Sequence, residues 1–206
     1  MSKRALDLIV SVVLLVVLWP ALVVIAVLVR LDSPGTALFR QERVGLGGTV
    51  FRIRKFRTLR ADAAGPLISP TGDNRVTRVG AVLRRTKLDE LPQLLDVVEG
   101  RMSLVGPRPE VPQYVEMWPP DLREVILSVR PGITDPASVA FRDESELLAG
   151  AEDPEGLYLD VILPEKARMY AEYVRTRSFV KDVRVLLDTL GAVLGRHEGA
   201  AKPPTH

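Results

Sequence analysis

The hydrophobic positions of this chain form one continuous block, followed by short periodic runs. Leu8 to Val29 carries no charge, and Ser11 is its one polar interruption. As straight helix it reaches about 33 Å, enough for a hydrocarbon core of about 30 Å. A spanning helix is the default for such a run. A cleaved signal peptide fits the leading Lys3 and Arg4, but the run is too long and no A-x-A-like site follows it. A third reading is a re-entrant helix that enters the bilayer, turns and leaves on the same side. Pro20 favours it, since a mid-helix proline removes a donor and clashes with the preceding turn, at about 3 kcal/mol. Leu8–Trp19 and Ala21–Val29 would each span about 14 to 18 Å, which reaches mid-bilayer only. Charge favours it too. Lys3 and Arg4 flank one end, and Arg30, Arg40, Arg43, Arg52, Arg54, Lys55, Arg57 and Arg60 follow the other. Short basic flanks stay cytoplasmic, and a spanning helix would send one of these across. The expectation is a re-entrant helix over 1–30 broken at Pro20, with a proline-kinked spanning helix as the alternative.

Beyond a turn at Asp32-Ser33-Pro34-Gly35, the pattern predicts a mixed α/β, helix-rich fold without a doubly wound sheet. Ala37–Phe39 and Val50–Ile53 read as strands joined by a hairpin at Gly45-Leu46-Gly47-Gly48. That glycine cluster lacks the lysine and strand-to-helix context of a phosphate loop. Residues 62–74 read as a surface loop, 81–98 as helix interrupted at Pro92, and the proline-rich 103–120 as extended or turned. A short helix over 121–130 is stopped by Pro131-Gly132. Pro164 suits the first turn of a helix to Thr176. Phe179, Val183, Leu186, Leu187, Leu190, Val193 and Leu194 recur at helical spacing, giving an amphipathic helix to about Gly195. Its stripe packs on a core or lies at a membrane surface. The organisation expected is a membrane helix (1–30), a globular domain with amphipathic interfacial helices (31–195), which the motifs below mark as the catalytic one, and a disordered tail (196–206).

Composition narrows the chemistry. With 28 Lys and Arg against 26 Asp and Glu, the net charge of +2 gives no reason to expect a nucleic-acid partner. There is no cysteine, and the two histidines, His197 and His206, lie in the polar tail. Acid–base or nucleophilic work falls to carboxylates, Lys, Tyr, Ser or Thr.

The main candidate is Thr86-Lys87-Leu88-Asp89-Glu90-Leu91-Pro92-Gln93-Leu94. Read blandly, Thr86 and Asp89 form a near capping box at a helix start. Read chemically, Asp89 and Glu90 are adjacent carboxylates able to hold Mg²⁺ beside phosphate oxygens, and a carboxylate can attack phosphorus. Basic strings accompany them: Arg54-Lys55-Phe56-Arg57, Gly106-Pro107-Arg108-Pro109 and Phe141-Arg142-Asp143-Glu144. Arginine grips phosphate bidentately, and prolines on both sides of Arg108 fix the backbone presenting it. Any one of these could be a solvated charge. Together with an acid pair and a membrane segment, they point to diphosphate chemistry at a membrane.

In this order, the proline-broken membrane run, Lys55-Phe56-Arg57, Leu88 to Leu94, Gly106 to Pro109 and Arg130-Pro131-Gly132-Ile133-Thr134 resemble the bacterial sugar transferases. These are the monotopic phosphoglycosyl transferases, and the chain is similar to their minimal catalytic form from about Lys3 to Gly195. The resemblance implies an enzyme on the cytoplasmic face of the bacterial inner membrane, in contact with its lipid. It implies transfer of a sugar 1-phosphate from a UDP-sugar to undecaprenyl phosphate, with UMP released and Mg²⁺ as cofactor. By that match Asp89 is the nucleophile, Glu90 assists, and both contact the metal. Arg142 matches the arginine that grips substrate phosphate. Lys55, Arg57 and Arg108 match basic positions assigned to phosphate or to structure. Pro20 matches the residue that turns the membrane helix.

The chain departs from the pattern in three places. Trp19-Pro20 stands where Ser-Pro is common, Lys87 where a small polar residue is usual, and Ala140–Glu144 differs from the Asn-Gly-Arg-Asn form. A lipid-binding scaffold would leave Asp89-Glu90 and Pro107-Arg108-Pro109 unexplained. A glycoside hydrolase needs its two carboxyl groups on opposite sides of the scissile bond, which adjacent residues rarely provide. The sugar, the pathway and the oligomeric state are not legible.

Overall fold

The structure, a computed structural model, describes residues 3–60, 72–141 and 144–193. Helix α1 (Lys3–Asp32) holds the apolar block. Helical assignment runs unbroken through Pro20, so the proline lies inside one helix and not between two. A membrane helix can absorb the missing donor, and bend there, without leaving helical conformation. Its polar and small positions face the protein, with Asp7, Ser11 and Val29 buried and Leu15, Leu22 and Ile25 packed on the core. Ile9, Val13, Val16, Val17, Trp19, Val23, Val24 and Val27 point outward and are exposed. In water so broad an apolar face is costly, whereas in lipid it is matched.

Both ends of α1 are tied to the same domain. Arg4 donates to the carbonyls of Val98 and Met102, and Asp7 accepts from the Ser103 hydroxyl at 2.7 Å and from Leu104 N. At the other end Asp32 accepts from Val79 N at 2.8 Å. Arg57 clamps the same end, donating to the carbonyls of Val29, Ser33 and Pro34. Carbonyls at a helix C-terminus lack intrahelical donors, and a guanidinium supplies several at once. Of the two roles open to Arg57, phosphate grip or structure, its geometry is structural.

The expected hairpin forms, with longer strands. β1 (Leu38–Val44) pairs antiparallel with β2 (Val50–Phe56), from Leu38 opposite Phe56 to Val44 opposite Val50. The turn is a 3-10 segment at Leu46–Gly48, in which Gly47 and Gly48 take positive φ. α2 (Arg78–Thr86) and α3 (Gln93–Val98) flank a second 3-10 turn at Leu88–Glu90. The proline-rich stretch is less extended than its composition predicts. It contributes β3 (Ser103–Val105), then α4 (Pro112–Glu116), and ends at the start of α5 (Pro120–Leu127). Proline at a first helical position lacks only an N–H that would be unpaired anyway, so Pro112 and Pro120 begin helices here. β4 (Gly132–Thr134) runs parallel to β3. Then come α6 (Pro136–Ala140), α7 (Glu144–Ala149), α8 (Pro154–Leu157), a π turn (Tyr158–Ile162), α9 (Leu163–Thr176) and α10 (Phe179–Val193). Among the described residues the sheets are two-stranded, and the fold is helix-rich α/β as expected.

The main core gathers Tyr114, Trp118, Ile126, Ile162 and Tyr170 from α4, the link between α4 and α5, α5, the π turn and α9. α10 divides its apolar residues. Val185 is buried, while Phe179, Val180, Leu187 and Leu190 are exposed. Most of the loop expected at 62–74, and the tail expected at 196–206, lie outside the described residues.

Candidate active site

The acid pair occupies a turn, not a helix start. Lys87 ends α2 in the left-handed conformation (φ 57°), with its N–H directed back to the carbonyls of Leu83 and Arg84. The Thr86 hydroxyl donates to Val82 O at 2.8 Å, so it makes no capping box with Asp89. The 3-10 turn then presents Asp89 and Glu90, and Pro92 precedes α3. Both carboxylates are buried, at 8% and 9% exposure.

Their surroundings differ. Glu90 Oε1 accepts from Lys55 Nζ at 2.7 Å and from Arg108 Nη2 at 2.5 Å, and Oε2 accepts from Arg108 Nη1 at 3.4 Å. Burial alone would push the Glu90 carboxyl up; Arg108 and Lys55 outweigh it and hold the group well below the usual carboxylate range. Asp89 has the opposite balance. Burial, and then the neighbouring Glu90 charge, push its carboxyl up against the pull of Lys55, Lys87 and Arg108. Asp89 Oδ1 is buried with no hydrogen-bond partner among the described residues, as is Gln93 Nε2 four positions on. A buried polar atom without a partner is uncommon and calls for a ligand or a chemical role. The pair therefore holds one carboxylate saturated by cations and one left open.

The two cations are held by different devices. Asp96, fully buried in α3, accepts from Arg54 N and Arg54 Nη1, each at 3.0 Å, and Arg54 also meets Glu99 at 2.9 Å. This staples β2 to α3 and sets Lys55, the next residue, against Glu90. Burial lowers the Lys55 ammonium pKa, and Glu90 opposes that. Arg108 hangs on two turns packed backbone to backbone. Gly106 N donates to Thr134 O at 3.1 Å and Gly132 N to Pro107 O at 2.9 Å. A Cβ on Gly106 would lie 2.6 Å from the Arg130 carbonyl, so a side chain there would part the turns. That contact explains why Gly106-Pro107-Arg108-Pro109 and Arg130-Pro131-Gly132 occur together. Glu90 in turn raises the Arg108 pKa, so this guanidinium stays charged.

Four of the residues singled out in the sequence thus converge: Asp89, Glu90, Lys55 and Arg108. Arg57 lies at the end of α1, Pro20 within it, and Arg142 falls outside the described residues. Residues 1–196 match the sequence profile of the bacterial sugar transferases. The chain belongs to that family. A UDP-glucose:undecaprenyl-phosphate glucose-1-phosphate transferase of Caulobacter vibrioides is 37% identical to this transferase over 198 residues, covering 94% of the chain and 70% of the relative. An exopolysaccharide production protein of Rhizobium leguminosarum is 36% identical over 218 residues, covering 96% and 97%. A UDP-N-acetylgalactosamine-undecaprenyl-phosphate N-acetylgalactosaminephosphotransferase of Aeromonas hydrophila is 41% identical over 141 residues. There the match covers 66% of this transferase and 33% of the relative.

Sequence reasoning missed several charged groups around the transferase's site. Arg43, Glu110, Glu144, Tyr158 and Lys166 line a cavity beside Arg108. Glu110 carried a signal, since it directly follows the Gly106–Pro109 string. Arg43 was read only as one of the basic flank and Glu144 only as the end of the Phe141–Glu144 string. Tyr158 and Lys166 stand in unremarkable local sequence, and all of them meet only through the fold.

Proposed function

We propose that this chain transfers a sugar 1-phosphate from a UDP-sugar to undecaprenyl phosphate through a covalent intermediate on Asp89, releasing UMP. The step would initiate assembly of a bacterial glycoconjugate. The observation that carries the reading is the open Asp89 carboxylate beside a Glu90 fully engaged by Lys55 and Arg108. An Asp89 oxygen attacks the β-phosphorus, forming an acyl phosphate as the bond to the bridging oxygen breaks and UMP departs. An oxygen of the lipid phosphate then attacks the same phosphorus, and the Asp89 carboxylate leaves. Lys55 and Arg108, already in place, meet the negative charge that grows on the phosphoryl oxygens. The relatives named for undecaprenyl-phosphate sugar transfer support this choice of substrates.

A divalent cation fits Asp89 better than the pair. Among the described residues no cluster of three or more His, Asp or Glu could hold a metal. Mg²⁺ commonly takes one or two carboxylates, with phosphates and waters completing its shell. The unpartnered Asp89 Oδ1 suits that role, whereas Glu90 would have to give up Lys55 and Arg108. When bound, Mg²⁺ would offset diphosphate charge.

The reading places the enzyme on the cytoplasmic face of the inner membrane, with α1 entering and leaving on one side. What supports this is that one domain holds both ends of α1, whereas a spanning helix parts its ends across about 30 Å of hydrocarbon. The exposed Phe179, Val180, Leu187 and Leu190 of α10 suit contact with lipid. As the chain lacks cysteine, single cysteines at Ser2 and Thr36 can report the side directly. Both are expected to react with a membrane-impermeant maleimide only in inside-out vesicles; reaction of either in intact spheroplasts would restore a spanning helix. For the reaction, the purified enzyme with Mg²⁺, undecaprenyl phosphate and a panel of UDP-sugars should release UMP with at least one donor. Failure with every donor would overturn the proposal.

A further inference from the structure

Beside the reacting groups lies a cavity of about 180 Å³ that the transfer step as written leaves unused. Five separate parts of the chain supply its walls. Arg43 comes from the end of β1, Arg108 and Glu110 from the loop after β3, Glu144 from the start of α7, Tyr158 from the π turn and Lys166 from α9. Glu110 and Lys166 are at most 8% exposed. The Tyr158 hydroxyl donates to Glu110 Oε1 at 3.0 Å. Lys166 pairs with Glu144, and its ammonium stands 5.3 Å from the centre of the Tyr158 ring and 5.9 Å from that of Phe141. Burial and the Glu110 charge push the Tyr158 phenol well up, so it stays a donor.

Aliphatic side chains would fill this volume without desolvating charges. A cavity ringed by buried carboxylates, cations and a phenol is instead built to meet a polar guest. We propose that it receives the glycosyl group of the donor, with Glu110, Glu144, Arg43 and Lys166 reading its hydroxyls, and Tyr158 offering a ring face while its hydroxyl holds Glu110 in place to read them. Sugar hydroxyls both donate and accept, which matches carboxylates alternating with cations, and C–H faces rest on aromatic rings. Position favours the glycosyl group over the ribose or uracil. Arg108 is a shared wall, holding Glu90 on one side and lining the cavity on the other. The glycosyl group is joined through one oxygen to the phosphorus that Asp89 attacks, whereas the nucleoside departs with the leaving group.

This inference rests on the transfer reading, so its test uses binding and not turnover. Titration calorimetry would use the full chain, every protein carrying Asp89→Asn so that the donor binds without reacting. It would compare UDP-glucose, UDP-galactose, UDP-N-acetylglucosamine and UDP itself, for the otherwise wild-type chain, Glu110→Gln and Tyr158→Phe. The otherwise wild-type chain is expected to rank the three sugars. In the variants the spread between best and worst sugar should shrink by about tenfold or more, as when a buried recognition partner is lost. Affinity for UDP, which carries no sugar, should stay within roughly twofold, a change too small for a lost contact. Because Glu110 is buried, Tyr158→Phe, which removes only a hydroxyl, keeps the test alive if Glu110→Gln misfolds. Equal affinities in the otherwise wild-type chain, an unchanged spread in Tyr158→Phe, or UDP affinity falling in step with that of the sugars would overturn the proposal. Absence of UMP release, measured separately, would instead count against the transfer chemistry.

Discussion

Asp89→Asn is expected to abolish turnover, by at least about a thousandfold as for loss of a nucleophile, while leaving the fold as stable as before or more so. The structural half follows from the open Oδ1, since no hydrogen bond is lost when that oxygen's charge is removed. Burial and the Glu90 charge raise the Asp89 pKa on folding, so at neutral pH the ionised side chain opposes the folded state. Asparagine removes that opposition at nearly constant volume. The same shift predicts that the wild-type rate fails, as pH falls, earlier than an ordinary aspartate would dictate. The chemical half is read by mass analysis. Wild type given a UDP-sugar without lipid should release one burst of UMP and carry a phosphosugar on Asp89; the variant should do neither. If wild-type UMP release requires the lipid and quenched digests show no adduct, the lipid phosphate attacks directly and Asp89 is only a metal ligand.

Glu90→Gln should damage both stability and rate. The change leaves Lys55 and Arg108 without their shared counter-charge in a buried site, and breaking such a pair from one side costs about 3–5 kcal/mol. The midpoint of denaturant unfolding should therefore fall markedly, in contrast to Asp89→Asn. The pH dependence has a definite sign. Folding depresses the Glu90 pKa, so its stabilisation is fully present above the unfolded value, near 4.5. It is lost as pH falls below that towards the folded value. Wild type should thus lose stability over this acid range, and the variant should lose less of it. Equal pH profiles for the two proteins would mean that Glu90 does not balance the two cations.

The contrast between these carboxylates shows what the sequence makes legible. Asp89 and Glu90 stand out as an acid pair, and Lys55 and Arg108 as basic strings, because chemistry shows in residue type. Their division of labour does not, since it depends on which oxygen two distant cations reach. Arg57 illustrates the limit: its string looks like a phosphate grip, yet its side chain closes the end of α1, a fact set by where β2 runs. Helix α4 hides inside a proline-rich stretch because proline stops a helix from within but starts one well, whereas the helix expected over 121–130 forms as α5. The amphipathic pattern of α10 is plain from spacing. Its burial is not, since periodicity locates a face without saying what covers it. The charged cavity was least visible of all, being assembled from five segments spread over more than half the chain.

The tethering of α1 also sets an order of assembly. Lys3 meets Asp182 at 2.5 Å, across 179 positions of sequence. The ribosome adds roughly 5–20 residues per second, so the partner at 182 follows by about 10–35 s. The apolar helix thus emerges and meets lipid well before the residues that hold its first turn exist. Val98, Met102 and Ser103 arrive midway to that point, and α10 follows them. The membrane would serve as a temporary partner, sheltering a segment whose protein contacts are still being made. The seat beneath α1 closes only once α10 has been made.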